Sequence, residues 1–341
     1  MRLRKAGLLC GAALFFLSAT AQAAPYDAPA TGLPGAVQDH IDMAYLLLKG
    51  DVSARNLPST LFAIAPKTYG DPPADSRKIA SLPATKVFDQ FYYLGTSYVS
   101  AWVLNTSGGI IVFDTLNNDE EATQFIEGGL RKVGLDPKNI KYIVISHGHG
   151  DHFGGAKYLQ EKYHARVLMS AVDWEIVGRQ TAGGASRFGP PPKRDMDVTD
   201  GQKLTLGKTT VSLYLTPGHS PGTIAAIIPV TDRGRPHVLS FIGGTGMAQI
   251  DKDPSKGGFR ILRESLGKFA KISVAAGADS LISCHPFLDD SWEKAKLVQD
   301  GKAGNASPWI VGKDAVLRYY AATIEAVNAT ETYYGLQLAK K

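Results

Sequence analysis

The chain has 341 residues, 44% of them hydrophobic and 20% charged, with 37 Lys and Arg against 32 Asp and Glu. That balance excludes a disordered tail, a collagen-like fibre and a coiled coil, and a chain of this length builds a useful core without covalent staples. The formal charge of +5 invites a nucleic-acid or membrane-surface partner, so the position of the charge has to be examined first.

Residues 1–23 hold Arg2, Arg4 and Lys5, then an apolar run over 8–17, then Ala21-Gln22-Ala23, the order of a secretory signal peptide. The apolar run is too short to span a bilayer. Cleavage after Ala23 leaves 34 basic against 32 acidic residues, a net charge of +2. The basic excess is mostly an export signal, which argues against nucleic acid as a partner and predicts a periplasmic or secreted protein with no membrane anchor after processing. Cys10 leaves with the signal, and the single remaining cysteine, Cys284, excludes an internal disulfide framework.

Residues 24–81 are rich in Pro, Ala and Asp and carry one helical stretch near 38–49, with Ile41, Tyr45 and Leu48 on one face. They read as an N-terminal extension packed on a main domain over 82–341. That domain opens with strand candidates at 91–94, 100–104 and 109–113, the last two joined by a turn at Ser107-Gly108-Gly109. Apolar spacing then becomes helical over 121–133, behind Asn117, Asn118 and Asp119 as capping candidates.

A buried-type strand at 142–146, a helix at 156–163 and a strand at 166–169 continue the alternation, which argues an α/β layered fold. Trp174 lies on a helical stretch over 171–177 and is expected in the core, while Phe153, Phe188 and Met247 are candidates for an apolar pocket wall. A Gly/Pro-rich loop over 178–193, with Phe188 and Pro190-Pro191-Pro192, has a length usually reserved for function. Strands follow at 211–215, 225–229, 238–242 and 280–283, and helices at 259–272, 292–299 and 313–328.

The chemistry concentrates in Ser146-His147-Gly148-His149-Gly150-Asp151-His152, directly after a strand. Three imidazoles and a carboxylate, separated by glycines that let the backbone fold tightly, can be aimed at one centre, and this donor set is what zinc accepts. His219, in Thr216-Pro217-Gly218-His219-Ser220-Pro221-Gly222, and His285, in Ser283-Cys284-His285-Pro286, also follow strands directly. Ligands on such loops converge from distant parts of a chain. His40, His164 and His237 fall outside the pattern and are expected at the surface.

The arrangement His147-x-His149-x-Asp151-His152, then His219 in Pro-Gly-His-x-Pro-Gly, then His285 before Pro286, resembles the metallo-β-lactamase superfamily. The resemblance covers roughly residues 88–340 and implies a four-layer αβ/βα sandwich with the metals at one edge. It implies two Zn2+ per chain, one held by His147, His149 and His219, the other by Asp151, His152 and His285.

Within the superfamily, glyoxalase II-like and lactonase-like members place a bridging Asp after the strand at 238–242, and subclass 1 lactamases place a Cys there. Here the segment reads Gly243-Gly244-Thr245-Gly246, so the chain is most similar to the class B β-lactamases of subclass 3. The implied activity is hydrolysis of the amide bond of a β-lactam antibiotic, a small-molecule substrate, by a metal-activated hydroxide that Asp151 orients. Ser146 and Ser220 are then turn or supporting residues, not nucleophiles. Asp114 either hydrogen-bonds a ligand loop or is structural; Thr245 is a candidate substrate or supporting contact, with a plain turn role as the alternative, and Phe188 a candidate substrate contact. The extension is longer than that subclass implies, and the Gly243-Gly244 pair is unusually bare. The alternative is a hydrolase of another cyclic ester or amide, such as a lactone.

Overall fold

The computed structural model describes residues 30–48, 61, 64, 80–180 and 188–340. The signal-peptide reading of 1–23, most of the extension and the centre of the 178–193 loop lie outside the described residues. Along the chain run α1 (Gly35–Leu47), β1 (Thr85–Phe88), β2 (Phe91–Tyr93), β3 (Trp102–Thr106) and β4 (Gly109–Phe113). A helical segment, α2 (residues 119–132), joins α turns Asp119–Glu121 and Gly128–Lys132 through a π segment, Ala122–Glu127. Next come β5 (Ile140–Val144), α3 (Gly150–Phe153), α4 (Ala156–Tyr163), β6 (Arg166–Ser170) and α5 (Ala171–Gln180). The chain continues through β7 (Met196–Val198), β8 (Gln202–Leu206), β9 (Thr209–Leu215), β10 (Ile224–Asp232), β11 (Arg235–Ile242) and α6 (Gly258–Ala275). It closes with β12 (Ser280–Ser283), α7 (Ser291–Gln299) and α8 (Lys313–Leu338).

Two sheets form, one in the order β1-β2-β3-β4-β5-β6-β7 and one in the order β12-β11-β10-β9-β8. The first is antiparallel through β4 and parallel from β4 to β7. The second is antiparallel except where β11 meets β12. Because successive strand residues point to opposite faces, the strands divide their side chains between two apolar layers. Ile111 and Phe113 of β4 enter the core between the sheets with Trp102, Ile224, Ala226 and Phe241. Ile110 and Val112 pack outward with Ile126 and Leu130 of α2, Leu159 of α4 and Trp174 of α5. On the far side, Ala225 and Ile227 meet Phe259, Leu262 and Phe269 of α6 and Tyr320 of α8.

Helices, sheet, sheet, helices is the four-layer αβ/βα sandwich expected. Both sheets are covered on both faces, so their strands read as near-continuous apolar runs. Three short strands, β1, β7 and β8, carry too little pattern to read from the sequence. Phe153, Trp174 and Met247 are 3%, 4% and 5% exposed and belong to these cores, as expected for Trp174, whereas Phe153 and Met247 were expected at a pocket wall.

The described part of the extension joins the fold. Val37, Ile41, Ala44 and Tyr45 of α1 pack against Ala322, Ala326 and Ala329 of α8, and His40 Nδ1 lies 2.7 Å from Glu325 Oε2. His237 is half-buried and paired with Asp279 at 2.8 Å, a correction to its expected surface role. Among the described residues no helix is long and apolar enough to cross a membrane.

Candidate metal centre

Five loops at the carboxyl ends of strands meet at one edge of the sandwich. They follow β4 (Asp114), β5 (His147 to His152), β9 (His219), β11 (Gly243 to Gly246) and β12 (His285). The loop after β5 is anchored by backbone bonds on either side: Ile224 N donates to Ser146 O at 2.7 Å and Thr115 N to His152 O at 2.7 Å. Three groups of candidate donors have their atoms within 4.8 Å of one another: His147 with His149 and His219, Asp151 with His152 and His285, and His147 with His152 and Cys284. The first two contain the residues that the resemblance assigned to two metals.

Ring orientation bears on what the groups could hold. His147 Nδ1 lies 2.8 Å from Gly243 O, His219 Nδ1 2.7 Å from Gly246 O and His285 Nδ1 2.7 Å from Tyr98 O. A carbonyl oxygen only accepts, so each Nδ1 carries the proton and donates. His152 Nδ1 likewise donates to Asp114 Oδ2 at 2.9 Å. Every Nε2 then presents a lone pair, yet Nε2 of His147 and His219 approach to 3.0 Å and those of His152 and His285 to 3.3 Å. Lone pairs that close repel unless a cation lies between them, and imidazoles fixed through Nδ1 with Nε2 converging are metal ligands in form. The donor set fits zinc.

Charge follows the same logic. Burial first, and neighbouring imidazoles second, hold His147 well below the usual histidine range. The same order of causes brings His219 down to about 3 and His285 to about 4, so these rings are neutral donors at neutral pH. Burial would raise Asp151, but His152, His285 and His149 outweigh it and bring it to about 2, an ionised carboxylate. Its Oδ2 is 3.6 Å from Nε2 of both His152 and His285.

Two buried carboxylates brace the loops. Asp114, in the left-handed region at φ 60°, accepts from Ser146 N at 2.7 Å, Ser146 Oγ at 2.8 Å and His152 Nδ1, as the sequence suggested. Asp173 on α5 was not legible: nothing in its flanking residues marks it. Its carboxylate accepts from Gly148 N at 2.8 Å, Ser220 Oγ at 2.8 Å and Gly222 N at 3.1 Å, joining the His147–His149 loop to the His219 loop.

The bare glycines prove to be a requirement of the site. A Cβ on Gly243 would fall 1.9 Å from Ile224 O, and one on Gly244 2.5 Å from His219 Cδ2. No side chain fits at either position without moving a ligand or a strand. Thr245 is 1% exposed, and its Oγ1 has no hydrogen-bond partner among the described residues. Phe188 packs its ring on the backbone of Gly150, where a Cβ would fall 2.3 Å away. Cys284, the residue before His285, has its Sγ within 4.8 Å of donor atoms of His147 and His152, and burial pushes its thiol pKa well up. Tyr98 and Phe287 flank His285, with ring centroids 5.2 and 4.9 Å away.

A family model described as the metallo-beta-lactamase superfamily matches residues 94–232. Among solved structures, BJP-1, a subclass B3 metallo-beta-lactamase of Bradyrhizobium japonicum, is 26% identical with a TM-score of 0.62, over 76% of this chain and 95% of that one. MEM-A1, a subclass B3 metallo-beta-lactamase from a soil metagenome library, shares the fold at 23% identity and a TM-score of 0.63, over 77% and 99% of the two chains. The hydroxyacylglutathione hydrolase of Cereibacter sphaeroides is 28% identical over 181 residues, 52% of this chain and 62% of that protein. The chain therefore spans less than two thirds of that curated relative.

Proposed function

From the metallo-β-lactamase fold that this chain carries, we propose that it is an exported zinc-dependent hydrolase opening the amide bond of β-lactam antibiotics, with two zinc ions in the ligand groups above. The observation that supports this most is the pair of ligand groups, His147-His149-His219 and Asp151-His152-His285, beside a 243–244 segment that is closed to a bridging carboxylate or thiolate. Bound there, zinc supplies Lewis acidity and a water acidic enough to attack at neutral pH.

The chain's own residues do the rest. Asp151, held ionised, orients the attacking water by accepting its hydrogen bond. Gly243 O, Gly246 O, Tyr98 O and Asp114 fix the imidazoles in the donor tautomer. Neither nearby serine is available as a nucleophile, since Ser146 Oγ is committed to Asp114 and Ser220 Oγ to Asp173.

Hydrolysis of a chromogenic cephalosporin tests the reading. Activity is expected to vanish with a chelator and to fall about a hundredfold or more in Asp151→Ala; activity surviving both sinks the metal mechanism. A second reading, hydrolysis of an ester-type bond, draws on the hydroxyacylglutathione hydrolase relative. Turnover of a hydroxyacyl thioester or an acyl-homoserine lactone, with penicillins, cephalosporins and carbapenems ignored, would put it first. Export is tested by the mature N-terminus, expected at Ala24.

A further inference from the structure

Next to the first ligand group lies a cleft of about 690 Å³, within the range of small-molecule sites. His149 and His219 are among its lining residues, so the cleft borders the candidate metal centre. Its walls are apolar: Ile176 of α5, Pro217 and Pro221 of the His219 turn, Ile250, and Ile261 of α6. Ile261 is 38% exposed, a large aliphatic side chain that faces water at the first turn of α6, where the helix borders the cleft.

Apart from the histidines and the neutral amide of Gln249, the polar side chains of the cleft do not suit an anion. Asp173 and Ser220 are spent on each other and on backbone donors. Asp251 adds a second carboxylate, and among the described lining residues there is no Lys or Arg. The basic residues next to the described lining residues in sequence are engaged elsewhere: Lys252 turns its Nζ to the carbonyls of Met247 and Ala248 at 3.2 and 3.3 Å, and Arg260 pairs with Glu264 at 2.9 Å.

We infer that this cleft receives an uncharged apolar substituent, aliphatic or aryl, carried on the hydrolysable amide or ester, and that Ile176 and Ile261 set its affinity. The inference rests on the hydrolase reading above for the occupant being a substrate, and it adds where the substrate's bulk lies. A carboxylate on the same substrate points elsewhere, because here it meets Asp251 with no Lys or Arg among the described lining residues to offset it. Burial of each methylene against such walls strengthens binding about threefold to fourfold.

Calorimetric titration of the zinc-loaded mature chain with N-methylalkanamides of two to eight carbons, which are inert to hydrolysis, tests the cleft. Affinity is expected to rise about threefold per methylene, and that dependence to collapse in Ile176→Asp and Ile261→Asp while zinc content and circular dichroism stay unchanged. On chelator-treated protein, where no metal competes for an anion, the eight-carbon amide ending in a carboxylate is expected to bind at least tenfold more weakly than the uncapped chain. Affinity that ignores chain length, a dependence that survives both substitutions, or equal binding of the carboxylate-ended chain would overturn the inference. Because the titration needs no turnover, a retained dependence without lactam hydrolysis removes the lactamase reading alone, and lactam hydrolysis without the dependence removes the cleft alone.

Discussion

Asp173 is a buried carboxyl that ties together two loops lying far from it in sequence. Burial pushes its carboxyl pKa up, against hydrogen bonds from Ser220, Gly148 and Gly222. In Asp173→Asn one acceptor oxygen becomes an amide, so at least one donor is left facing another donor, at a cost of about 1–3 kcal/mol in urea unfolding. Because the two loops carry His147, His149 and His219, zinc affinity measured by chelator competition is expected to fall about 10- to 100-fold. Unchanged affinity with reduced stability would make the residue a purely structural brace. The five ligand histidines were legible because each sits in a local pattern of Gly or Pro after a strand; Asp173 was not, since its partners are defined only once α5 lies against two other loops.

Asp289 shows a second residue-scale effect. It is 3% exposed, bonded to Ser291 N and Oγ, and burial raises it to about 7 although Lys294 opposes the shift. The native state therefore holds this proton more tightly than the unfolded chain does, so the stabilisation is full below about pH 4 and is lost as pH rises towards 7. Asp289→Asn stays neutral throughout. Its stability relative to the native sequence, from denaturant curves, is expected to improve between pH 4 and 8 by at most about 4 kcal/mol, and a constant difference would contradict the raised pKa.

At the scale of elements, periodicity was sufficient wherever an element buries a continuous face. The strands from 209 to 242 and the helices at 156–163 and 258–275 lie close to their expected bounds. α8 is longer, reaching Leu338 instead of 328. α1 packs along it at Ala322, Ala326 and Ala329, and beyond the expected end Tyr333, Tyr334 and Leu336 are half-buried against the same cluster. Ile41 of α1, fully buried there, is the anchor of the pair. Ile41→Ala is expected to weaken α1 locally by about 2–5 kcal/mol, seen as faster hydrogen exchange over residues 35–47 with zinc content unchanged. A loss of zinc instead would couple the extension to the metal edge.

For the whole molecule, two sheets packed through one apolar layer place five strand ends at a common edge, and the donors of both ligand groups converge there. A cation that binds only the folded arrangement stabilises it by about 2.7 kcal/mol at a hundredfold excess over its Kd. Chelation is therefore expected to lower the thermal midpoint by roughly 5 °C or more. An unchanged midpoint would mean that the close Nε2 pairs are tolerated without a metal.

The sequence alone determined the donor chemistry, because His147, His149, Asp151 and His152 lie within one short loop and their spacing is itself the signal. It determined the layered α/β class as well, since buried strands and amphipathic helices leave their periods in the residues. The tertiary structure decided which distant imidazoles face each other, that Gly243 and Gly244 must lack side chains, that Asp173 ties two loops, and that a cleft walled by Ile176 and Ile261 opens on the ligands. Each of these depends on contacts between residues tens to more than a hundred positions apart, and such contacts exist only after the sheets have packed.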